Sequence, residues 1–522
     1  MAPHEQVEKC ARLLSRKSTD DEKFAGLLLL PRVIDAHDAD AWMLVFDAMD
    51  IRFVERLMRT GIKQANDVQH TGDQALLNIA VSVIDVLASH TSIATNTRML
   101  ERIPTLCTVA AMEIDQVSAD AISVLCKLLA HDAAIDRVLR DPSILIQVVD
   151  AASKCSDPHP IAQFLDYALN RGSHFVHTHK DTAVARGWAA VVASTAGAFD
   201  KSHTVLKFEL LAAIANALEP ITVEDAHYID EQTLCLSLIQ SVSSGCTFVL
   251  KQKTEATQYT DQALVLYSHL VRLWPHHVFV GLAMHNATHA VHQKEAELAL
   301  RLACVEGQSA IDSMMIAPPD SHDSQADCMR IRRGWKLSVC AEIAAAWLEW
   351  VTQWLDDQPS ESTSIDEASI YNMMNEVQKL ASSVVGFMLD WKERTSDKLM
   401  LENGADLIVS SVRFLALWLA TDPKLHQAAM PILSMCTLWI VHSPQHGATI
   451  AEYVRPCISF ALETCGISEA QYAADLMTRE LHHDRSQAEE FASPWVGTIE
   501  FDDLARAVYS IPSDEDMLRD RK

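Results

Sequence analysis

Apolar residues recur with helical spacing along the chain, and residues 18–36 show this pattern clearly. Thr19 precedes three acidic residues, an arrangement typical of a helix N-terminus, where free backbone N–H groups and the helix dipole favour negative charge. An almost unbroken run of apolar residues then leads to Pro31. We therefore predict a helix over 20–35 that neighbouring helices cover on several sides, with Pro31 kinking or ending it.

The same spacing predicts helices over the whole chain, with short turns between them and few of the alternating β-branched runs that mark strands. Each helix is expected to bury its apolar face against its neighbours. The predicted helices are 4–16, 20–35, 40–60, 73–89, 96–112, 118–130, 142–154, 160–170, 181–197, 202–219, 224–245, 259–275, 277–304, 334–356, 366–392, 397–420, 424–442, 448–464 and 468–484.

Two segments resemble starts of a structural repeat. Residues 97–112 and 135–152 each consist of a short amphipathic turn, a proline and an apolar helix, and Pro104 and Pro142 are 38 residues apart. Armadillo and HEAT repeats have a period of about 40–47 residues. We therefore predict an all-α fold of the armadillo/HEAT-like type, a helical solenoid in which each repeat packs on the next.

Polar segments suggest how the chain is divided. The segment 317–328, "APPDSHDSQADC", carries prolines and serines and is predicted to be an exposed loop. It would separate N-terminal armadillo-like repeats at 1–316 from C-terminal helical repeats at 329–510. A charged tail at 511–522 would follow them.

Composition supports the helical prediction and limits the partners. Only 15 glycines and 17 prolines occur in 522 residues, well below the usual frequencies of about 7% and 5%. Seventy acidic residues against 43 basic ones give a net charge of −27, which disfavours nucleic-acid binding and favours protein partners with basic segments. The densest basic run, "RIRRGWK" at 330–336, is expected to be a solvated helix start.

The N-terminal segment has no apolar leader, and no stretch of 18 apolar residues occurs, so we expect no integral membrane span and a cytoplasmic or nuclear location. The twelve cysteines are scattered within apolar helical patterns. They are expected to be reduced core residues.

The chain lacks the common motifs of nucleotide binding, hydrolase nucleophiles and zinc sites, so we predict no catalytic residues and no cofactor. Within the cluster His276 to His292, three histidines at i, i+4 and i+7 are weak metal candidates: His285, His289 and His292. A half-exposed stripe on a packed helix is the preferred interpretation. A second histidine group, "HFVHTHK" at 174–180, is expected in a loop.

Three tryptophans share one face of a predicted helix. Trp347, Trp350 and Trp354 follow the spacing i, i+3 and i+7. Such a stripe most often packs in a core. The alternative is a partner-binding ridge, because tryptophan dominates interaction hot spots.

Several segments, taken in order, resemble the neurochondrin family. The first 220 residues carry most of the resemblance, and the order and spacing of the segments support it more than any single one. The segments are "DDEKFAGLLLLPRVI" at 20–34, "VFDAMDIRFVERLM" at 45–58, "MLERIPTLCTVA" at 99–110, "KFELLAAIANAL" at 207–218 and "FLALWLATDPKLHQAAMPIL" at 414–433.

The resemblance implies an armadillo-like superhelix without catalytic activity that acts as a signalling adaptor. It further implies roles in neurite outgrowth, in negative regulation of calcium/calmodulin-dependent kinase phosphorylation and in binding the cytoplasmic segments of G-protein-coupled receptors. Membrane attachment in the family uses palmitoylated cysteines near the N-terminus. Here that region offers only Cys10, inside a predicted helix, so peripheral membrane attachment is not expected.

Three hypotheses for function remain. A non-catalytic protein-binding scaffold is preferred. The alternatives are a metal-binding protein or enzyme that uses the His276 to His292 cluster, and an importin-like cargo adaptor, although the Trp–Asn ladders expected on the groove of such an adaptor are missing from the sequence.

Overall fold

The computed structural model describes most of the chain up to residue 422. The described residues are 3–422, without 36–37, 67–73, 113–114, 156–158, 199–203, 230–231, 252–256, 280–289, 317–323, 357–366 and 395–396, together with single positions at 425, 428, 429, 432, 436, 450 and 453. Within these ranges the regular structure is helical and contains no strand.

The helices follow one another with short connections. Up to residue 273 they are α1 (Pro3–Leu13), α2 (Asp20–Val33), α3 (Ala39–Ala48), α4 (Ile51–Asn66), α5 (Ala75–Ala88), α6 (Thr91–Ala94), α7 (Thr97–Leu100), α8 (Ile103–Ala110), α9 (Asp115–Leu129), α10 (Asp132–Arg140), α11 (Ser143–Ala152), α12 (His159–His179), α13 (Thr182–Gly197), α14 (Thr204–Leu218), α15 (Val223–Ile229), α16 (Gln232–Lys251) and α17 (Thr257–Leu273). The later ones are α18 (Pro275–Phe279), α19 (Ala290–Ile316), α20 (Ser324–Asp356), α21 (Glu367–Arg394) and α22 (Asp397–Thr421).

The start of α2 confirms the predicted helix cap. The backbone N–H of Thr19 donates to Glu22 Oε2 at 2.7 Å, and the N–H of Glu22 donates to Thr19 Oγ1 at 3.3 Å, which forms a capping box. Pro31 lies inside the helix, two residues before its end at Val33. The cap therefore fixes where this helix begins.

The prediction that neighbours cover α2 on several sides is wrong. Leu28 is 50% exposed and Leu29 is 40% exposed. The helix packs on α1 and α5 and buries a single face, which includes Leu27 and Leu30. The leucine run therefore supplies more apolar surface than the described neighbours cover.

Prolines begin two corresponding helices of the solenoid, as the sequence predicts. Pro104 lies at the first turn of α8, and Pro142 is the N-cap of α11. The side-chain amide of Gln147 in α11 donates to the carbonyl oxygen of Pro104 at 3.4 Å. Helix α11 thus packs directly on α8. With helices following one another in this way, the chain is an all-α helical solenoid.

Small residues allow very close helix packing around α13. A Cβ atom added at Gly187 would lie 1.7 Å from the carbonyl oxygen of Leu139, and one added at Gly172 would lie 2.7 Å from Cδ1 of Trp188. The indole N–H of the fully buried Trp188 donates to the carbonyl oxygen of Leu169 at 3.1 Å. These contacts join α10, α12 and α13.

The predicted helix 40–60 is two helices. α3 ends at Ala48 and α4 begins at Ile51. Between them, the N–H of Asp50 donates to the carbonyl oxygen of Leu14 at 2.9 Å, and Lys23 Nζ donates to the Asp50 carboxylate at 3.0 Å. These long-range hydrogen bonds replace helical ones and separate the two helices.

The predicted loop at 174–180 is also wrong. Helix α12 continues to His179 instead of ending near 170, because Phe175 and Val176 are buried and extend its apolar face. Gly172 lies within the helix, at the point where Trp188 packs against α12. Of the three histidines, His177 bonds to a carboxylate of α15.

Ion pairs and close contacts connect the later helices. Lys336 Nζ lies 2.7 Å from Glu306 Oε2, which joins α20 to α19. Arg413 Nη2 donates to both carboxylate oxygens of Glu349, at 2.8 and 2.9 Å, which joins α22 to α20. The basic run 330–336 lies within α20 rather than at its start. The prediction that this run starts a helix is therefore wrong, whereas Ile331, Arg332 and Trp335 are exposed to solvent as expected.

Packing divides the chain into two compact units, Met1–His269 and Leu270–Lys522. The first five residues of the helix α20 belong to the segment 317–328 that was predicted to be a loop, since α20 begins at Ser324. The predicted repeat regions 1–316 and 329–510 stay a prediction. The predicted tail at 511–522 lies outside the described residues.

None of the helices in the described part of the chain has the length and apolar character that crossing a bilayer requires. Cys10 is only 2% exposed, and its thiol approaches the carbonyl oxygen of Gly26 at 3.5 Å. Burial raises the pKa of the Cys10 thiol to about 11. Acylation of this thiol would therefore require α1 to separate from α2.

Candidate functional site

A cleft between α19 and α21 is lined almost entirely by polar side chains, and we call it the polar groove. Its volume is about 920 Å³. Both helices belong to the second unit. The lining residues are Arg301 and Gln308 of α19 and Asn372, Asn375, Glu376, Gln378, Lys379, Ser382 and Ser383 of α21.

The charged and hydroxyl groups of the polar groove are engaged within the fold. Lys379 Nζ donates to Glu376 Oε1 at 2.8 Å, and Arg301 pairs with Glu297 one turn earlier in α19. The hydroxyl groups of Ser382 and Ser383 donate to carbonyl oxygens of their own helix. The groove is therefore close to neutral, and its charged side chains are already paired with opposite charges.

Three of the four amide side chains in the polar groove have no hydrogen-bond partner in the described ranges, whereas the fourth, Gln378, donates to Asp422 Oδ2 at 3.4 Å. The side chains of Asn372 and Asn375 make no hydrogen bond to any residue in the described ranges. The amide nitrogen of Gln308 is buried without a partner among the described groups. Because each amide offers a donor and an acceptor, this surface matches the N–H and C=O groups of an extended peptide backbone.

The tryptophan stripe is mostly inside the second unit. Trp347 is fully buried and Trp350 is 4% exposed, whereas Trp354 is half-buried. The Trp350 ring lies 5.6 Å from that of Phe279 and 6.2 Å from that of Trp354, measured between centroids. Of the three predicted ridge residues, only Trp354 has substantial exposed surface.

The weak metal candidates cannot be placed together. His285 and His289, and the side chain of His292, lie outside the described residues. Where the structure does describe side chains, no three His, Cys, Asp or Glu residues are grouped closely enough to hold a metal ion.

A buried carboxylate joins α12 to α15. The Asp225 side chain is fully buried, and its Oδ2 accepts hydrogen bonds from His177 Nδ1 at 2.6 Å and from the Thr222 hydroxyl at 2.7 Å. Burial raises the pKa of Asp225, but these hydrogen bonds outweigh burial, and the pKa lies below its ordinary value. The carboxylate is therefore ionised in the native state and acts as a structural connection.

We expect Asp225→Asn to lower stability by about 1.5–3 kcal/mol at neutral pH, because hydrogen bonds to a charged acceptor are lost. A carboxylate with a lowered native pKa stabilises the fold above its unfolded pKa of about 4, and this contribution is lost as the pH falls below that value. Thermal melts from neutral to acidic pH should therefore show a gap between variant and wild type that closes in acid. Glu224→Gln, at a neighbouring side chain that is 84% exposed, is the control, and an equal loss in both variants would contradict the prediction.

A second cleft, in the first unit, is lined by arginines that the sequence analysis did not connect. We call it the arginine groove. Its volume is about 600 Å³. It is lined by Arg16, Asp50, Arg52, Glu55, Arg56, Arg59, Glu101, Arg102 and Arg137. The sequence does carry a signal for this charged face, because four of the lining residues follow the spacing i, i+3, i+4 and i+7 within α4: Arg52, Glu55, Arg56 and Arg59.

Comparison with known proteins gives consistent matches. The Neurochondrin family model matches residues 2–440. The neurochondrin homolog of Drosophila melanogaster is 23% identical over 432 residues, which cover 80% of this chain and 54% of that protein. Human neurochondrin is 26% identical over 237 residues, which cover 43% of this chain and 31% of that protein.

A solved structure of an engineered protein aligns with 97% of this chain and 100% of its own, at a TM-score of 0.49 and 11% identity. The chain matches about half the length of the fly relative and about a third of the human one. Because the family model spans most of its length, the chain belongs to the neurochondrin family.

Proposed function

We propose that the chain is a non-catalytic protein-binding scaffold or adaptor in cytoplasmic signalling. The observation that carries this proposal is the polar groove, where Asn372 and Asn375 present unengaged amides on the exposed side of a helical-repeat unit. Helical solenoids bind partners along such extended surfaces. Side-chain amides can hold the backbone of a bound segment whatever its side chains are.

Membership of the neurochondrin family supports the scaffold proposal. The scaffold proposal includes the more specific roles that the resemblance implies: neurite outgrowth, negative regulation of calcium/calmodulin-dependent kinase phosphorylation and binding of receptor tails. The net charge of −27 favours partner segments that carry Lys and Arg. Their association should slow as salt rises, because long-range attraction is screened beyond about 8 Å at physiological ionic strength.

A display selection tests the scaffold proposal. A library of segments from disordered cytoplasmic protein regions is selected against the full chain, and the affinity of enriched segments is then measured. We expect enrichment of defined segments, and about tenfold weaker binding by the Asn372→Ala/Asn375→Ala variant, since a lost hydrogen bond contributes about 0.5–1.5 kcal/mol.

Gln353→Ala, at an exposed amide on α20 outside the polar groove, is the matched control and should leave the affinity unchanged. If no segment is enriched over an unrelated helical protein, the scaffold proposal is contradicted. Binding that is equally strong in the Asn372→Ala/Asn375→Ala variant would show that the polar groove is not the binding surface.

A further inference from the structure

The arginine groove concentrates positive charge on a protein whose net charge is −27. Its arginines come from several parts of the first unit. Arg52, Arg56 and Arg59 lie on one face of α4, Arg102 precedes α8, and Arg137 lies in the last turn of α10. Arg16, in the turn after α1, is the sixth.

The carboxylates of the groove are already paired within the fold. Glu55 contacts both Arg59 and Arg102, and Glu101 lies 3.0 Å from Arg102 Nη2. Asp50 lies 3.0 Å from Nζ of the buried Lys23. These acidic side chains therefore hold the walls together and leave other cations of the groove without a counter-charge.

Three arginines of the groove are exposed and unpaired. Arg16, Arg52 and Arg137 form no ion pair or side-chain hydrogen bond with any residue in the described ranges. Beneath them, Arg102 is only 4% exposed. Burial lowers the pKa of Arg102, and the positive charge of Arg52 lowers it further. The guanidinium groups therefore repel one another in a cleft that lacks enough negative charge.

We propose that the arginine groove binds a short acidic segment of a partner protein, rich in Asp and Glu. The inference rests on the proposed scaffold function and gives one of its surfaces a partner chemistry opposite to that expected from net charge. A guanidinium group binds a carboxylate through two parallel N–H···O hydrogen bonds. Unpaired arginines on several walls of one cleft can engage successive carboxylates of one segment.

The shape of the groove and the charge of the chain favour a peptide over a membrane or a nucleic acid. The arginines line a cleft between helices, whereas a bilayer presents a broad surface. An extended polyanion would also meet the remaining surface of a chain with a net charge of −27, and would be repelled. A short segment within about 8 Å of the arginines interacts mainly with them, because more distant charges are screened.

The groove crosses several helices, which sets the length of the segment. It runs along α4 and reaches the α7–α8 junction and α10. Packed helices are about 8–10 Å apart. An extended peptide of twelve residues reaches about 40 Å, which is enough to cross these helices.

Fluorescence anisotropy with the full chain tests the proposal. The probe is a fluorescein-labelled twelve-residue peptide of alternating Glu and Ser, compared with peptides that have Gln or Lys in place of Glu. We expect saturable binding of the Glu peptide alone, weakening as salt is raised. Arg52→Ala should weaken it about tenfold, since a hydrogen bond to a charged group is among the stronger ones, and Arg52→Glu/Arg137→Glu should abolish it.

The matched control is Arg32→Glu/Lys154→Glu, which changes net charge equally at exposed positions outside the groove and should leave binding within about twofold of wild type. Circular dichroism melts establish that both double variants are folded. The proposal is overturned if the Glu peptide does not bind, or if both double variants lose binding equally. It is also overturned if phosphatidylserine vesicles or an oligonucleotide bind through Arg52 and Arg137 while the Glu peptide does not.

The two proposals fail separately. Display-selected segments that depend on Asn372 and Asn375 would preserve the scaffold function even if the Glu peptide does not bind. Failure of the selection together with failure of the Glu peptide would contradict both.

Discussion

Replacing Gly187 with alanine is expected to destabilise the first unit by more than about 3 kcal/mol, since overpacking in a close-packed core is costly. The added Cβ would lie 1.7 Å from the carbonyl oxygen of Leu139 and 2.7 Å from the carbonyl carbon. Both are backbone atoms at the end of α10, so a side-chain rotation cannot relieve the clash. Helix α13 would have to move away from α10, and its packing on α12 would be lost as well.

The measurement is the urea midpoint of the full chain, followed by circular dichroism. Gly197→Ala is the matched control, because it adds the same methyl group to the same helix at a position with nothing within 4 Å. Alanine has a higher helix propensity than glycine, so the control should be neutral or stabilised by up to about 1 kcal/mol. Equal midpoints for the two variants would show that α13 does not pack on α10 as described.

Replacing Trp347 with alanine is expected to cost the second unit about 3–5 kcal/mol, the usual range for a large buried aromatic residue. The Trp347 side chain is fully buried in the core of the second unit. No group in the described ranges accepts a hydrogen bond from its indole N–H. Trp347→Phe should therefore cost less than Trp347→Ala, because it preserves much of the packing and breaks no hydrogen bond.

Trp354→Ala is the comparison on the same helix, since Trp354 is half-buried and should contribute less to stability. Thermal melts and affinities for display-selected segments distinguish the two interpretations of the stripe. The core interpretation predicts that Trp347→Ala lowers the melting temperature. A variant that melts as wild type but loses partner binding would instead support the partner-binding ridge.

Local signals in the sequence are sufficient to predict the fold class. Helical spacing of apolar residues, the cap at Thr19 and the helix-starting prolines Pro104 and Pro142 all act within a few residues, and each has the predicted role in the structure. These signals agree with one another along the chain. An all-α solenoid is therefore readable from the sequence alone.

Features that depend on tertiary packing were misread. The helix predicted to end at 170 continues to His179, because Gly172 permits the contact with Trp188 and the buried residues beyond it extend the apolar face. Asp50 lies within a helical pattern, yet its hydrogen bonds to Lys23 and Leu14 separate α3 from α4. In both cases a distant residue decides the local structure.

Dependence on tertiary packing also explains why neither groove was predicted from the sequence. The unpaired arginines of the arginine groove are at positions 16, 52 and 137, and only folding brings them to one cleft. A search for continuous basic runs found 330–336 instead, whose Lys336 is paired with a carboxylate of α19. Asn372 and Asn375 carry no motif, and they become notable only because α19 packs beside α21.

Hydrogen–deuterium exchange tests the central claim, that the chain is a scaffold holding protein segments in its grooves, most directly. The full chain is measured with and without a saturating amount of a display-selected segment. The account predicts slower exchange in α19 and α21, the helices that line the polar groove. Bound segment with unchanged exchange in both helices would contradict it.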